Sequence, residues 1–450
     1  MKRLFFLLFA GLCLYVQAQD LDTVPYFADQ GIPDAAIFLP APPDTCSPLF
    51  IDDFSQWLWG KSMRPSARGE RASWESLYSI GRMCDIYGGL MGFTLSKEAT
   101  PAIYRILSRG MKTSQQAVDR AKVKYMRVRP FARMGEQVWG AFDDDGLRQN
   151  GSYPSGHTSL GWTTALMMMQ VAPELQDTIL RRGWEYGESR VIVGAHWQSD
   201  VDAARLAAAS AVVRVQASEA YQADLAAARK EFLKHYGKAH KVGYPNSLRI
   251  LPAPIDTADR RFQGDVSAHW MAKGERSQAR GQQAIADAKK RVPDFMAQYA
   301  ACLDMALDTA SAPAVTKYLK YIRKRVRDEI QLLKEAKFRK RPFVQLEEGS
   351  LIPEEEASHI TDSSFPSSHA ALGWGLALAM IELTPDSMNA VLQRGFDYGQ
   401  SRVIAGYHWY SDVQAARIVA SYTLIRMQAE PKFQDLLAKA RAEYAAIRKQ

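Results

Sequence analysis

The chain has 450 residues, with 57 Lys and Arg against 49 Asp and Glu, a formal charge of +8 and 47% hydrophobic residues. That length allows two or three domains and does not limit the core. The positive excess is mild and forms no long basic block, which argues against nucleic acid as a partner and favours small anionic ligands only weakly.

Lys2 and Arg3 open the chain, Leu4 to Val16 is apolar, and Val16-Gln17-Ala18 places compact residues at the minus-three and minus-one positions of a cleavage site. This pattern predicts a secretory signal peptide over residues 1–18. Its 13 apolar residues fall short of the roughly 20 that a spanning helix needs, so a periplasmic or secreted protein without stable membrane insertion is expected. Removing Lys2 and Arg3 lowers the charge to +6. Cys46, Cys84 and Cys302 then remain, an odd number with no metal-site spacing, and no pairing is assigned.

Long stretches such as Ser218 to His235 and Pro431 to Lys449 are rich in helix formers and contain no internal Gly or Pro. They predict helices, and the shorter apolar runs Leu160 to Ala172 and Ala203 to Val213 predict buried core helices. Strand signals are scarce. The expected fold class is all-α.

The segment Ser189 to Arg205, SRVIVGAHWQSDVDAAR, returns at Ser401 to Arg417 as SRVIAGYHWYSDVQAAR, with 13 of 17 positions identical. The same offset of 212 maps Leu39-Pro40-Ala41-Pro42 onto Leu251-Pro252-Ala253-Pro254 and Arg129-Pro130-Phe131 onto Arg341-Pro342-Phe343. A period this long marks a duplicated domain. The polar joint near Lys234 to Asn246 sets the expected division at residues 19–240 and 241–450, two tandem helical bundles that are able to pack as an internal pseudo-dimer.

Three motifs follow in order in the first copy: Lys122 with Arg129-Pro130; Pro154-Ser155-Gly156-His157; and Ser189-Arg190 with His196 and Asp200. Taken singly, each has a plain reading. Lys122 and Arg129 lie two helical turns apart, as on one solvated stripe; Ser155 is a suitable helix cap; His196 and Asp200 have the spacing of a surface ion pair. Together they hold what phosphate-ester cleavage requires. Lys122, Arg129 and Arg190 supply three cations for the equatorial oxygens of a phosphoryl group. Ser155 and the N–H groups of Gly156 and His157 precede an apolar run, where a helix N-terminus binds anions. His196 is placed to attack phosphorus with Asp200 holding its other nitrogen, and His157 to protonate the leaving oxygen and later activate water.

This set resembles the type 2 phosphatidic acid phosphatase superfamily and, through Tyr125-Met126-Arg127, Asn150-Gly151-Ser152-Tyr153 and His196 to Arg205, the bacterial class A nonspecific acid phosphatases. The resemblance implies an α-helical bundle, His196 as nucleophile, Asp200 as its orienting group and His157 as acid. Lys122, Arg129, Ser155, Gly156, His157 and Arg190 would then line the phosphate pocket. It also implies small phosphorylated substrates and no cofactor, with vanadate as an inhibitor.

The second copy keeps Lys334, Arg341, Ser367, His369, Arg402, His408 and Asp412, and departs at Ser368, where the first has Gly156. A positive φ there would strain serine, whereas a negative φ would leave the N–H donor intact. The loop Gln345 to Phe365 carries six acidic residues and no Lys or Arg, against four acidic residues with Arg133 and Arg148 across Arg133 to Tyr153; it either repels anions or sits in solvent. Three alternatives share the motifs. They are a lipid phosphate or pyrophosphate phosphatase, a haloperoxidase with vanadate as cofactor, and a phosphate-binding protein with one inactive copy.

Overall fold

The computed structural model describes residues 22, 24–140, 144–240 and 242–449. The expected signal peptide over residues 1–18 lies outside the described residues. Among these, every regular element is helical and none is a strand, so the all-α expectation holds. The principal helices of the first copy are α1 (Phe50–Met63), α2 (Pro101–Gln116), α3 (Gly156–Val171), α4 (Gln176–Ile192), α5 (Gln198–Val215) and α6 (Glu219–Tyr236). Those of the second are α7 (Phe262–Lys273), α8 (Pro313–Ala336), α9 (Ser368–Met380), α10 (Met388–Ile404), α11 (Tyr410–Met427) and α12 (Pro431–Ile447).

α3 and α9 are the central helices. Each is apolar on all sides, and Leu160, Trp162, Ala165 to Met169, Trp374 and Leu376 to Met380 are fully buried, as a helix without a polar face must be. α3 packs against α2, α4, α5 and α6, and α9 against α8, α10 and α11. None of the described helices is long and apolar enough to cross a membrane.

One local difference separates the copies. α8 runs unbroken to Ala336, whereas its counterpart is split at Val118 into α2 and a short helix, Asp119–Tyr125. Lys122 therefore lies on this short helix, which closes at Met126 with φ 39°, and Arg129 caps the next one, Pro130–Arg133. The two cations do not form a single helical stripe, because the chain turns between them.

The copies meet about a local two-fold axis. α5 packs on its equivalent α11, and α1 on its equivalent α7. At the axis Gly264 faces Asp52, its own counterpart 212 residues earlier, so closely that a Cβ there would lie 2.6 Å from that of Asp52. The leading arms are exchanged. The helix Ala35–Phe38 lies on α10, with Asp34 N–H donating to Asn389 Oδ1 at 2.8 Å and Phe38 packing 6.2 Å from Trp374. Reciprocally, the helix Ser247–Ile250 lies on α4, with Asn246 N–H donating to Asp177 Oδ1 at 2.8 Å.

Candidate active sites

Each site forms where three helix ends converge. Ser155 caps α3, its Oγ accepting from Thr158 N–H at 3.2 Å, and His157 follows in the first turn. Arg190 stands near the end of α4, and Ser189 fixes that helix by donating to the buried carboxylate of Glu75. A tight turn then delivers His196, with Ala195 and His196 N–H both reaching Arg190 O, at 3.0 and 3.2 Å. Gly194 has φ 78° and its counterpart Gly406 has φ 81°, a left-handed conformation that a side chain would strain.

The nucleophile candidate is fully enclosed. Arg129 Nη1 lies 2.9 Å from His196 Nε2. Guanidinium can only donate, so Nε2 is the acceptor and the ring proton of the neutral imidazole resides on Nδ1. That Nδ1 faces Ser152 Oγ at 3.3 Å and Asp200 Oδ2 at 3.5 Å, and Ser152 in turn donates to Asp200. The carboxylate expected to hold His196 directly is thus bridged to it by a serine. Burial and Arg129 keep the His196 imidazole well below its ordinary value, hence neutral.

Asp200 also accepts from Trp197 N–H at 2.8 Å, closing the first turn of α5, and from Arg127 Nη1 at 2.6 Å. Burial alone would raise its carboxyl, but Arg127, His196 and Ser152 together outweigh it and hold the group below the usual carboxylate range. Arg127 is anchored on its other side by Asp53 at 2.6 Å. The second copy repeats this frame: Arg339 joins Asp412 at 2.6 Å to Asp265 at 2.7 Å, and Ser364 donates to Asp412 at 2.6 Å. Arg341 Nη1 lies 3.1 Å from His408 Nε2, and His408 Nδ1–H donates to Ser364 O at 2.8 Å.

The cations of the first copy lie close together. Lys122 Nζ donates to Gly151 O at 2.8 Å, and Arg129 Nη2 reaches the same oxygen at 3.4 Å. Burial and Arg129 lower the Lys122 ammonium to about 7, and burial and Arg341 do the same for Lys334. Ser76 ties the remaining pair together: its Oγ accepts from Arg190 Nη1 at 2.7 Å and its carbonyl accepts from His157 Nε2 at 2.9 Å. His157 therefore carries its fixed proton on Nε2, leaving Nδ1 as the atom that gains and loses one. Burial and Arg190 depress it well below its ordinary value.

Neither Gly156 nor Ser368 has positive φ, and a Cβ at Gly156 would meet only Lys122 Cε, at 3.5 Å. Serine fits without strain and keeps its N–H. The acidic loop is not merely solvated. Asp362, at the position of Asn150, accepts from Arg341 Nε at 2.8 Å, and His359 Nδ1 lies 3.0 Å from its other oxygen. Ala288 replaces Ser76, and Arg402 Nε and Nη1 are buried with no hydrogen-bond partner among the described residues. Such donors are what the oxygens of a bound anion satisfy. No group of three or more His, Cys, Asp or Glu converges as metal ligands among the described residues.

Ser152, Arg127, Asp53 and Ser76 had no assigned role in the sequence. Arg127 and Ser152 stand beside recognised motifs, and Asp53 recurs as Asp265 at the common offset, a signal available in the repeat itself.

Residues 104–221 and 308–430 match the PAP2 superfamily. The chain is 39% identical over 219 residues to the non-specific acid phosphatase of Providencia stuartii, spanning 48% of this chain and 88% of that protein. It is 34% identical over 232 residues to the non-specific acid phosphatase of Salmonella typhi, spanning 51% and 93%, and 30% identical over 234 residues to the acid phosphatase of Zymomonas mobilis subsp. mobilis, spanning 52% and 89%. About half of this chain thus covers nearly the whole of each relative. With one matched segment in each copy, the chain belongs to the PAP2 superfamily, represented twice along its length.

Proposed function

We propose that this chain, an acid phosphatase of the PAP2 superfamily, hydrolyses small phosphate monoesters through a phosphohistidine at each of two tandem sites, with no metal or other cofactor, after export from the cytoplasm. The observation that carries the chemistry is the tautomer imposed on each nucleophile. A donating arginine faces Nε2 of His196 and of His408, so the attacking lone pair points to the cationic pocket while the proton stays on the side of the buried aspartate.

In the reaction, Lys122, Arg129, Arg190 and the N-terminus of α3 neutralise the equatorial oxygens. His196 Nε2 bonds to phosphorus as the ester P–O bond breaks, and His157 gives the leaving alkoxide its proton. The phosphohistidine carries a positive ring whose Nδ1–H is stabilised through Ser152 by Asp200. Water, deprotonated by His157, then displaces the phosphate and restores both rings. The bound phosphate also supplies the opposite charge that raises His157 from its depressed free value. Export rests on the basic, apolar and small-residue pattern of residues 1–18.

The test is replacement of each nucleophile. His196→Ala and His408→Ala should each retain the hydrolysis and the denaturation-trapped phosphoenzyme of the other site, and the double variant should lose both, by roughly 10⁴-fold or more. Loss of both signals in folded His196→Ala alone would show that the second copy does not turn over.

A further inference from the structure

In the first copy the opening above His157 and Arg190 is a cavity of about 480 Å³ whose walls include Trp74, Leu77, Tyr78 and Leu147. Tyr78 sets its ring edge-on to His157 with centroids 5.0 Å apart. Trp74 and Leu77 are 44% and 57% exposed, so the mouth offers apolar surface to whatever leaves with the proton of His157. The cation at this rim, Arg82, lies over the Trp74 ring at 3.6 Å and pairs with Asp85 at 3.5 Å.

At these positions the second copy has Ala286, Lys289, Lys290 and His359. The register is fixed on both sides. Ala288 O accepts from His369 Nε2 at 2.8 Å, as Ser76 O does from His157, and Leu351 N–H meets Ala405 O at 2.9 Å, as Trp139 N–H meets Val193 O. Lys290, in place of Tyr78, is within electrostatic reach of His369, Arg402 and Arg341. Asp362 and Glu355 are within reach of it as well, but Lys290 forms no ion pair among the described residues, and Asp362 is already held by Arg341 and His359. An aromatic wall has become a basic one beside the proton donor.

We propose that the two copies divide phosphate substrates by the charge of the leaving group. The first takes esters of aromatic or apolar alcohols, and the second takes phosphates whose leaving group is itself anionic, with Lys290 receiving that charge. This rests on the reading that both sites turn over through phosphohistidine. With inorganic pyrophosphate, His408 Nε2 bonds to one phosphorus, the bridging P–O bond breaks, and inorganic phosphate departs with a proton from His369. Water then attacks the phosphohistidine, its proton passing to His369, and the second phosphate is released. One pyrophosphate and one water yield two phosphates.

Full-length His196→Ala isolates the second site and His408→Ala the first, and kcat/KM is measured on each for inorganic pyrophosphate and phenyl phosphate. The pyrophosphate-to-phenyl ratio is expected to be at least about fivefold higher in His196→Ala, the effect of one partly exposed charge. Adding Lys290→Tyr to that variant should remove the difference, and adding Tyr78→Lys to His408→Ala should raise its ratio. Equal ratios in two active variants overturn the division and leave the phosphatase reading standing. No turnover of either probe by folded His196→Ala overturns the two-site reading and the division with it. Should a histidine variant fail to fold, Lys290→Tyr in the otherwise unaltered chain must still lower the ratio, and an unchanged ratio overturns the proposal.

Discussion

The carboxylate of Asp362 accepts from Arg341 Nε at 2.8 Å, a place that in the first copy is taken by the backbone carbonyls of Leu147 and Asn150, at 2.9 and 3.0 Å from Arg129 Nε. A neutral partner has been exchanged for an anion on a cation assigned to phosphate. Its carboxyl, which burial alone would raise, is drawn down to about 2 by His359 and Arg341, so it remains charged throughout the working range. Asp362→Asn, read in the His196→Ala chain, is expected to lower KM for phenyl phosphate by about fivefold, the effect of one removed like-signed group. Steady-state kinetics checks this, and an unchanged KM would mean that Asp362 does not compete with substrate for Arg341.

Ser152 transmits Asp200 to His196, because the direct Nδ1 to Oδ2 separation of 3.5 Å is long for a hydrogen bond. Ser152→Ala in the His408→Ala chain should reduce kcat roughly 10- to 100-fold by loosening the attacking ring, with KM nearly unchanged. Ser152→Thr should recover most of the loss. An effect on KM alone would assign the serine to binding instead.

The pH profile has a sign that follows from Lys122. Its ammonium, lowered to about 7, is complete below that pH and is lost above it, so kcat/KM of the His408→Ala chain should fall as pH rises through about 7. His196, held well below 6.5 by burial and Arg129, remains a neutral imidazole on the acid side. Lys122→Arg keeps the cation and should make the alkaline limb less steep near pH 7, leaving the fall imposed at lower pH by His157, which burial and Arg190 depress. An unchanged steepness would assign the step near pH 7 to another group.

In the proposed mechanism three cationic side chains would supply the charge stabilisation that other phosphatases take from metal ions. Hydrolysis is therefore expected to persist in excess EDTA and to be inhibited by vanadate, which adopts the five-coordinate geometry of the transferring phosphoryl group. A complete loss in EDTA that added divalent metal restores would contradict the mechanism.

At the local two-fold axis, Gly264→Ala places a Cβ 2.6 Å from Cβ of Asp52. Overpacking of this kind costs roughly 1 to 3 kcal/mol, read as a lower urea midpoint at constant m-value. Asp52→Gly in the same chain exchanges the two residues in outline and should restore the midpoint. No recovery would place the strain elsewhere.

Much of this was legible in the sequence for physical reasons. An all-round apolar run such as Leu160 to Ala172 has nowhere to go but the centre of a bundle, and a 212-residue offset that preserves Lys, Arg, Ser, His and Asp together preserves a pocket. What could not be read was what lies between motifs. Asp53 meets Arg127 across 74 residues, Ser76 precedes every recognised motif, and the backbone angle at Gly156 decides the meaning of Ser368. Asp362 was visible only as one of six acidic residues, since its contact with Arg341 depends on how the loop closes. The plain reading of Lys122 and Arg129 as one helical stripe fails because a left-handed residue at Met126 ends the helix between them.

The exchanged arms bear on why such an enzyme is one chain. Asp34 is held by Asn389 and Asn246 by Asp177, so each half is finished by a strip of the other, as in a swapped dimer. A dimer of identical subunits would write every substitution into both of its pockets. Here the partner is encoded separately, and Tyr78 can stand opposite Lys290, or Asn150 opposite Asp362, while the shared architecture stays whole: covalent linkage turns a symmetric assembly into one that can hold two different answers at once.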